Sequence, residues 1–597
     1  MIKPEVIKTF GRAGTGKTTY LLKQLEKQLS NGVHPVEVGM ISHTNAAVDV
    51  FKARAIKQGN YKEKDFPYFR TLHSLCYQLI GLKEYNHVDR EVINRFIDEY
   101  YPDMYEKVEE YDPDVFYLTH EDKERLKGSS RIKALIDIDS TLRNCLIYDF
   151  DFDLFYKKTG RTLMYTRYQV KKTYFDEKMG KYRIQWEEST EYLSPEEVKE
   201  FSMNWREYME RNEIFDFTRM LEEAYFNSLV PSVKYLFVDE FQDYSELQYR
   251  IYELWRDNGD IKKIWLAGDD CQVINRYAGA SAEFMLSTYC TEKVLLDRNY
   301  RFGKVIYENA QKYIELLSKF EPINVECADK PGKVIRCYGE EWLDYVDFKN
   351  DETSVLVLAA TSEWAKRLIS EIKEICPDVY FQNLGDPRKV DKVFERYNVI
   401  AALERGEEVE WERIKRLFTG SDPIPTSTLE KKTIVSLDGV ERTEVKKKRV
   451  FKNIKKKIRE GRFEHLDYYD KTSFRKDFLA DGWNGKQLVS MIPDIDIFPA
   501  ALDVFPEYVS PKVNKRYGTI HKAKGDQAEI VFLGMAVPFP SYERINETEV
   551  ADDVLRQFYV GTTRPESVLI EIYDYLEHSN GEPAPAPLDV INRGEAS

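Results

Sequence analysis

The sequence has no apolar run approaching the roughly 20 residues that a membrane-spanning helix needs, and Met1-Ile2-Lys3-Pro4 offers no apolar stretch of a signal peptide. Both absences predict a protein of the cytoplasm with no membrane partner, and the compact length predicts a prokaryotic or viral source. Cysteine is scarce: Cys76, Cys145, Cys271, Cys290, Cys327, Cys337 and Cys376 are odd in number and show no CxxC spacing. That excludes a disulfide framework, a zinc ribbon and an iron–sulfur cluster. Excess positive charge is missing as well. Lys and Arg number 88 against 103 Asp and Glu, a net charge of -15, which by itself disfavours a protein that coats nucleic acid. There are no internal repeats.

What is present is enough apolar material for packed cores, 42% of 597 residues, and a length that corresponds to about four domains. Short apolar, β-rich runs occur at residues 6–10, 36–41, 235–238, 264–267, 354–358, 530–533 and 568–572. Several precede helical-looking stretches, the pattern of buried parallel strands in α/β layers. Four runs fall in the first half and three in the second, so the spacing predicts two α/β cores. Each is interrupted, by a mostly helical, tyrosine-rich stretch at 81–215 and a charged, irregular one at 386–513. The end, Gly581-Glu582-Pro583-Ala584-Pro585-Ala586-Pro587, reads as the start of a disordered tail over 579–597.

Gly11-Arg12-Ala13-Gly14-Thr15-Gly16-Lys17-Thr18, followed by Thr19, fits GxxxxGK[ST]. It lies between a predicted strand and a predicted helix, as a phosphate-binding loop requires. The glycines let backbone N–H groups turn inward around phosphate oxygens. Lys17 supplies a point charge to the outer phosphates, and Thr18 a hydroxyl to Mg²⁺. Downstream, Tyr235-Leu236-Phe237-Val238-Asp239-Glu240-Phe241-Gln242-Asp243 is an apolar strand ending in carboxylates. Asp239 is suited to hold Mg²⁺, and Glu240 to orient and deprotonate an attacking water.

With these two motifs the chain resembles the superfamily 1 DNA helicases of the UvrD/Rep/PcrA type. Further matches follow in that family's order: Ser42-His43-Thr44-Asn45-Ala46-Ala47, Thr71-Leu72-His73-Ser74-Leu75, Gly268-Asp269-Asp270-Cys271-Gln272 running on to Tyr277-Ala278-Gly279-Ala280, Asn299-Tyr300-Arg301, Thr519-Ile520-His521-Lys522-Ala523-Lys524-Gly525, and Tyr559-Val560-Gly561-Thr562-Thr563-Arg564. The resemblance implies two RecA-like cores, residues 1–80 with 216–291 and 292–385 with 514–578, and accessory insertions at 81–215 and 386–513. It implies ATP and Mg²⁺ between the cores, with Gln272 sensing the terminal phosphate, Arg301 and Arg564 reaching it from the second core, and Tyr300 stacking on the base. It places single-stranded DNA against His43, Asn45, His73, Tyr277, Thr519 and His521. The activity implied is ATP-dependent translocation, 3′ to 5′, and unwinding of tailed duplexes in replication, repair or recombination, by a monomer or weak oligomer. A 5′-to-3′ superfamily 1 helicase and a non-unwinding NTP-dependent remodelling protein are the alternatives.

The chain departs from the family pattern in places. No glutamine precedes the phosphate loop where relatives read adenine, which predicts relaxed selectivity among nucleoside triphosphates. His43 stands where an aromatic ring is usual, and Asn275-Arg276-Tyr277-Ala278 replaces Tyr-Gly-Trp-Arg. Asp526 takes a position usually apolar. Pro565 is expected to shorten or kink a following helix. The charge is also uneven. Residues 156–183 carry Lys157, Lys158, Arg161, Arg167, Lys171, Lys172, Lys178, Lys181 and Arg183 among five tyrosines, and residues 446–459 carry nine further cations. Both runs are candidate phosphate contacts, while 187–200 and 543–553 are acidic. No nuclease signature is evident.

Overall fold

In the computed structural model the described residues run from 3 to 102 and from 131 to 410 with short gaps, then from 514 to 593 without 579 and 580, with a few segments between 411 and 513. Side chains at 45, 46, 166–188 and 427–449 are outside the description.

Two six-stranded parallel sheets organise the chain. The first contains β1 (Glu5–Gly11), β2 (Val38–Ser42), β3 (Phe69–Thr71), β4 (Tyr235–Val238), β5 (Lys263–Gly268) and β6 (Glu292–Leu296), in the order β6-β1-β5-β4-β2-β3. The second contains β7 (Lys333–Tyr338), β8 (Val355–Ala359), β9 (Gln382–Asn383), β10 (Lys515–Thr519), β11 (Ala528–Gly534) and β12 (Pro565–Tyr573), in the order β7-β12-β11-β8-β10-β9. All seven predicted runs coincide with strands of these sheets. Their apolar residues are continuous because both sheet faces are covered. In β1, Val6 and Phe10 pack into one cluster with Leu236 and Ile264, while Ile7 packs on the other side with Leu21, Leu22 and Leu25. Fully burying one such side chain is worth about 1.5–3 kcal/mol. The fold is therefore α/β with two parallel-sheet cores, as expected.

Three expectations need correction. Strand β6 lies beyond residue 291 yet pairs in parallel with β1, Ile7 opposite Glu292 through Gly11 opposite Leu296, so the first sheet closes after the division expected there. The segment 81–215 is not only helical. Its helices Arg90–Tyr100, Arg131–Asn144 and Pro195–Arg211 surround an aromatic core of Phe96, Phe201, Trp205 and Tyr208, but strands Met164–Asp176 and Lys181–Tyr192 form a long antiparallel hairpin. The C-terminal stretch is also not a free tail. Ala584, Ala586 and Val590 are buried in the core of the second sheet, and residues Pro587–Arg593 are helical. In the second insertion a helix, Arg388–Arg405, and a hairpin, Ser427–Val435 with Glu441–Arg449, are described. Most of the basic run at 446–459 lies outside the described residues.

One buried cation joins the first insertion to the first core. Arg143, near the end of helix Arg131–Asn144, donates to Asp139 at 2.9 Å, to Glu222 at 2.8 Å and to Asp216. A second junction sits at the end of helix Phe152–Thr159. Its terminal carbonyls accept from two arginines: Arg276 of the first core donates to Lys157 O at 2.7 Å, and Arg544 of the second donates to Gly160 O at 3.0 Å. Cations suit the negative end of a helix.

Candidate nucleotide site and DNA path

The phosphate loop leaves β1 at Gly11 and enters helix Lys17–Ser30 through Gly16. Gly14, with φ of 78°, leaves no room for a side chain. A Cβ there would come 2.7 Å from Cβ of Arg301. The second core reaches the loop directly at this point. Asn299 Nδ2 donates to Ala13 O at 2.7 Å and Tyr300 N donates to Gly14 O at 2.9 Å. Lys17 is buried and donates to Gly11 O at 2.9 Å. Thr15 is buried and donates to Arg12 O, while Thr19 is exposed on the first helical turn.

Thr18 Oγ1 donates to Asp239 Oδ2 at 3.0 Å, so a hydroxyl and a carboxylate converge beside the loop. This hard-oxygen pair fits Mg²⁺. Burial, reinforced by the neighbouring Glu240, raises the Asp239 carboxyl above its usual range. Glu240 adopts a left-handed backbone with φ of 55°, a strained conformation for a residue other than glycine. Burial opposes its ionisation, but Lys17, Lys524, a hydrogen bond from Gln242 and His43 together hold its carboxyl below the usual value. Glu240 is thus kept as the base form. Gln242 bridges two motifs: its Nε2 donates to Glu240 Oε2 at 2.5 Å, and its Oε1 accepts from Asp269 N at 3.1 Å. Gln272 donates to Asp269 Oδ2 at 2.8 Å.

The second core contributes Arg301 and Arg564. Arg301 Nη1 donates to Thr563 O at 3.0 Å, and Arg564 Nη2 to Thr563 Oγ1 at 3.0 Å. Arg564 is 1% exposed, and its other donors meet carbonyls, Val560 O and Asp526 O. Neither arginine has a carboxylate partner among the described residues. Burial first, and then the charge of Arg301, pushes Arg564 down to about 9, and burial lowers Arg301 also. Two under-compensated cations facing Glu240 across the gap make a receptor for polyanionic charge. Tyr300 is exposed beside them, with Arg298 over its ring at 5.6 Å.

Residues 6–291 match the family described as the UvrD/REP helicase N-terminal domain. The likeness to the UvrD/REP helicases thus spans the first core and its insertion. A probable DNA helicase II homolog of Mycoplasma capricolum is 24% identical over 350 residues, covering 55% of this chain and 41% of the relative. The ATP-dependent DNA helicase PcrA of Staphylococcus epidermidis is 25% identical over 331 residues, 55% of this chain and 40% of the relative. The PcrA of Staphylococcus aureus is 27% identical over 164 residues, 25% and 22%. The chain spans about two fifths of the length of the first two. Lys17, Thr18, Asp239, Glu240 and Gln272 all lie inside the UvrD/REP match, whereas Arg301 and Arg564 lie beyond it.

The two cores also meet on the side of the expected DNA path. Lys524 donates to both oxygens of Asp243, at 2.7 and 2.5 Å, and to Gln272 O at 2.8 Å. His521 bonds Ile274 O at 3.1 Å and Gln557 at 3.3 Å, and its ring lies 6.0 Å from that of Tyr277. Tyr277 is 52% exposed, so it is a surface ring and not a core one. His43 is exposed; Thr519 is half-buried and accepts from Lys522 N at 3.3 Å. The Asn45 side chain is outside the description. His73 is half-buried edge-on against Phe217, 5.7 Å away, and burial, followed by the charge of His43, lowers it to about 4. It is therefore neutral at pH 7 and no cation for phosphate. Phe217 itself is 70% exposed and was missed in the sequence. Its one signal was a phenyl ring in the polar N-terminal turn of helix Phe217–Phe226.

One further expectation meets the structure differently. Pro565 starts β12 and bends no helix, the place in a strand where a missing N–H is tolerated. In the first basic run, Lys158 pairs with Glu246 and Arg161 with Asp137 at 2.6 Å, whereas the side chains of its cations from Arg167 to Arg183 lie outside the described residues. The Lys158 pair ties the insertion to the first core, and the Arg161 pair lies within the insertion. Asp526 pairs with Arg516 at 2.6 Å while its carbonyl accepts from Arg564. Among the described residues no helix is long and apolar enough to cross a membrane.

Proposed function

We propose that the protein is an ATP-dependent DNA helicase that moves along single-stranded DNA from 3′ to 5′ and unwinds tailed duplexes. The observation that carries this reading is the pair of arginines, half-buried Arg301 and buried Arg564, without carboxylate partners among the described residues and set beside a phosphate loop and an acidic pair on the other core. Hydrolysis then requires both cores, and a cycle of hydrolysis moves one relative to the other.

In this scheme Gly11, Ala13, Gly14, Thr15, Gly16 and Thr19 frame the phosphates, Lys17 neutralises them, and Thr18 with Asp239 would hold Mg²⁺. That ion would offset phosphate charge when bound. Glu240 takes the proton of the attacking water, and Gln272 reads the terminal phosphate. Arg301 and Arg564 neutralise charge developing on the phosphoryl group, and Tyr300 stacks on the base. Single-stranded DNA crosses His43, Asn45, His73, Tyr277, Thr519 and His521, with Phe217 added to its stacking surface. The names of the relatives, DNA helicase II homolog and ATP-dependent DNA helicase PcrA, support the choice of ATP and DNA.

The deciding experiment is strand separation on duplexes with a single 3′ or 5′ tail, run with ATP and with other nucleoside triphosphates. Separation of the 3′-tailed substrate alone is expected. Separation of only the 5′-tailed substrate would reverse the polarity, and DNA-stimulated hydrolysis without separation would make the protein a remodeller. A thousandfold preference for ATP over GTP would remove the relaxed selectivity predicted from the sequence.

A further inference from the structure

The loop residue Arg12 has no part in that scheme, yet it is the best-connected cation near the site. It is 2% exposed. Nη1 donates to Asp269 Oδ1 at 2.9 Å and to Asp270 Oδ1 at 2.8 Å. Nη2 donates to the backbone carbonyl of Glu321, on the segment of the second core leading to β7. Glu321 N in turn donates to Asp270 Oδ2 at 2.7 Å. Asp269 and Asp270 are fully buried, and two adjacent buried carboxylates are tolerable only beside a cation.

Asp269 is the hub of the site. Its Oδ2 accepts from Gln272 Nε2 at 2.8 Å and from Tyr559 OH at 3.3 Å, and Tyr559 OH accepts from Ala13 N of the phosphate loop at 3.2 Å. Its backbone N–H holds Gln242, which holds Glu240. To read a phosphate, the Gln272 amide has to exchange Asp269 for the nucleotide. A carboxylate without a counter-ion would bind that amide too tightly, or shift away from Asp270 and carry Gln272 with it. Resting on the helicase reading above, we propose that Arg12 is a positioning residue that fixes Asp269 and takes up its charge, so that Gln272 can pass between Asp269 and the nucleotide as the second core closes. Arg12 acts through Asp269 and touches no reacting atom.

The test compares wild type with Arg12→Lys and with the charge-balanced Arg12→Met/Asp270→Asn in the full chain. ATP is titrated with and without a single-stranded oligonucleotide, and thermal unfolding gives the folded fraction. In the double variant, DNA-stimulated kcat per folded molecule is expected to fall about tenfold while KM for ATP moves less than about twofold, the split of an interaction that matters after binding. Arg12→Lys is expected to recover part of kcat, because an ammonium can reach the carboxylates but lacks the fork that also takes Glu321 O. A folded double variant with wild-type kcat overturns the proposal, as does a loss that only tracks the unfolded fraction. If wild type gains no hydrolysis from DNA, the helicase reading falls, and this proposal with it. If wild type is stimulated and the double variant equally so, only the Arg12 assignment falls.

Discussion

Buried arginines appear in two settings in this molecule. In the first core and its insertion they are fully matched: Arg143 meets three carboxylates and Arg12 meets two. In the second core, half-buried Arg301 and buried Arg564 lie against carbonyls, a threonine hydroxyl and each other's charge. A matched arginine holds elements together, and removing it strands its partners. An unmatched one is costly to keep, so its burial points to a ligand that supplies the missing negative charge. The contrast separates scaffold from site with no reference to the motifs.

Substitutions on either side can break that comparison. Arg564→Ala is expected to lower kcat for hydrolysis about 10³–10⁵-fold, the span seen for arginines that stabilise phosphoryl transfer, with little loss of thermal stability. Steady-state kinetics beside a melting curve checks both halves. Arg143→Met should do the reverse, costing about 3–5 kcal/mol of stability by leaving buried carboxylates unpaired, while hydrolysis per folded molecule stays at the wild-type level. If Arg143→Met abolished hydrolysis in folded protein, the division into scaffold and site would be lost. Lys524→Met removes a cation that joins the second core to Asp243, and a charged hydrogen bond of this kind is worth about 1.5–3 kcal/mol. The expected readout is weaker DNA stimulation, measured as the ratio of hydrolysis with and without a single strand.

Smaller effects sharpen the DNA side. Tyr277→Ala should weaken single-strand binding by about 1–3 kcal/mol, one stacked base, and unchanged affinity in a fluorescence titration would return Tyr277 to a structural role. His73 gives a pH signature. Its folded value, lowered to about 4, lies below that of the unfolded chain, near 6.5. The unfolded state therefore binds the proton first, and stability is lost as pH falls from about 6.5 towards 4. Melting curves across that window should show a shallower decline in His73→Gln than in wild type.

Much of the fold was legible because buried parallel strands leave an unbroken apolar run, and the nucleotide motifs sit at their ends. The hairpin Met164–Asp176 with Lys181–Tyr192 was not legible: it lies in a stretch read as mostly helical, although its tyrosines and threonines favour strands. Strand β6 escaped because it is a half-exposed edge, with Glu292 and Lys293 at its start. The Ala-Pro stretch has the composition of a free tail, and only the second core supplies the surface that covers Ala584 and Ala586. In the site, Lys17 and Asp239 could be read locally. Arg12 occupies a variable position of its motif, and its partners lie some 250 residues away. Periodicity carries no trace of such a contact.

The grip on helix Phe152–Thr159 has a mechanical consequence. Arg276 holds one terminal carbonyl and also pairs with Asp553 of the second core at 2.7 Å, while Arg544 holds another carbonyl and lies over Tyr156, whose hydroxyl donates to Glu547 at 2.8 Å. The helix is a strut with both cores bolted to the same end. It cannot follow one core without shearing its bonds to the other. Under the helicase reading proposed above, a change in the angle between the cores would load this helix and pass to the hairpin that follows it in the chain.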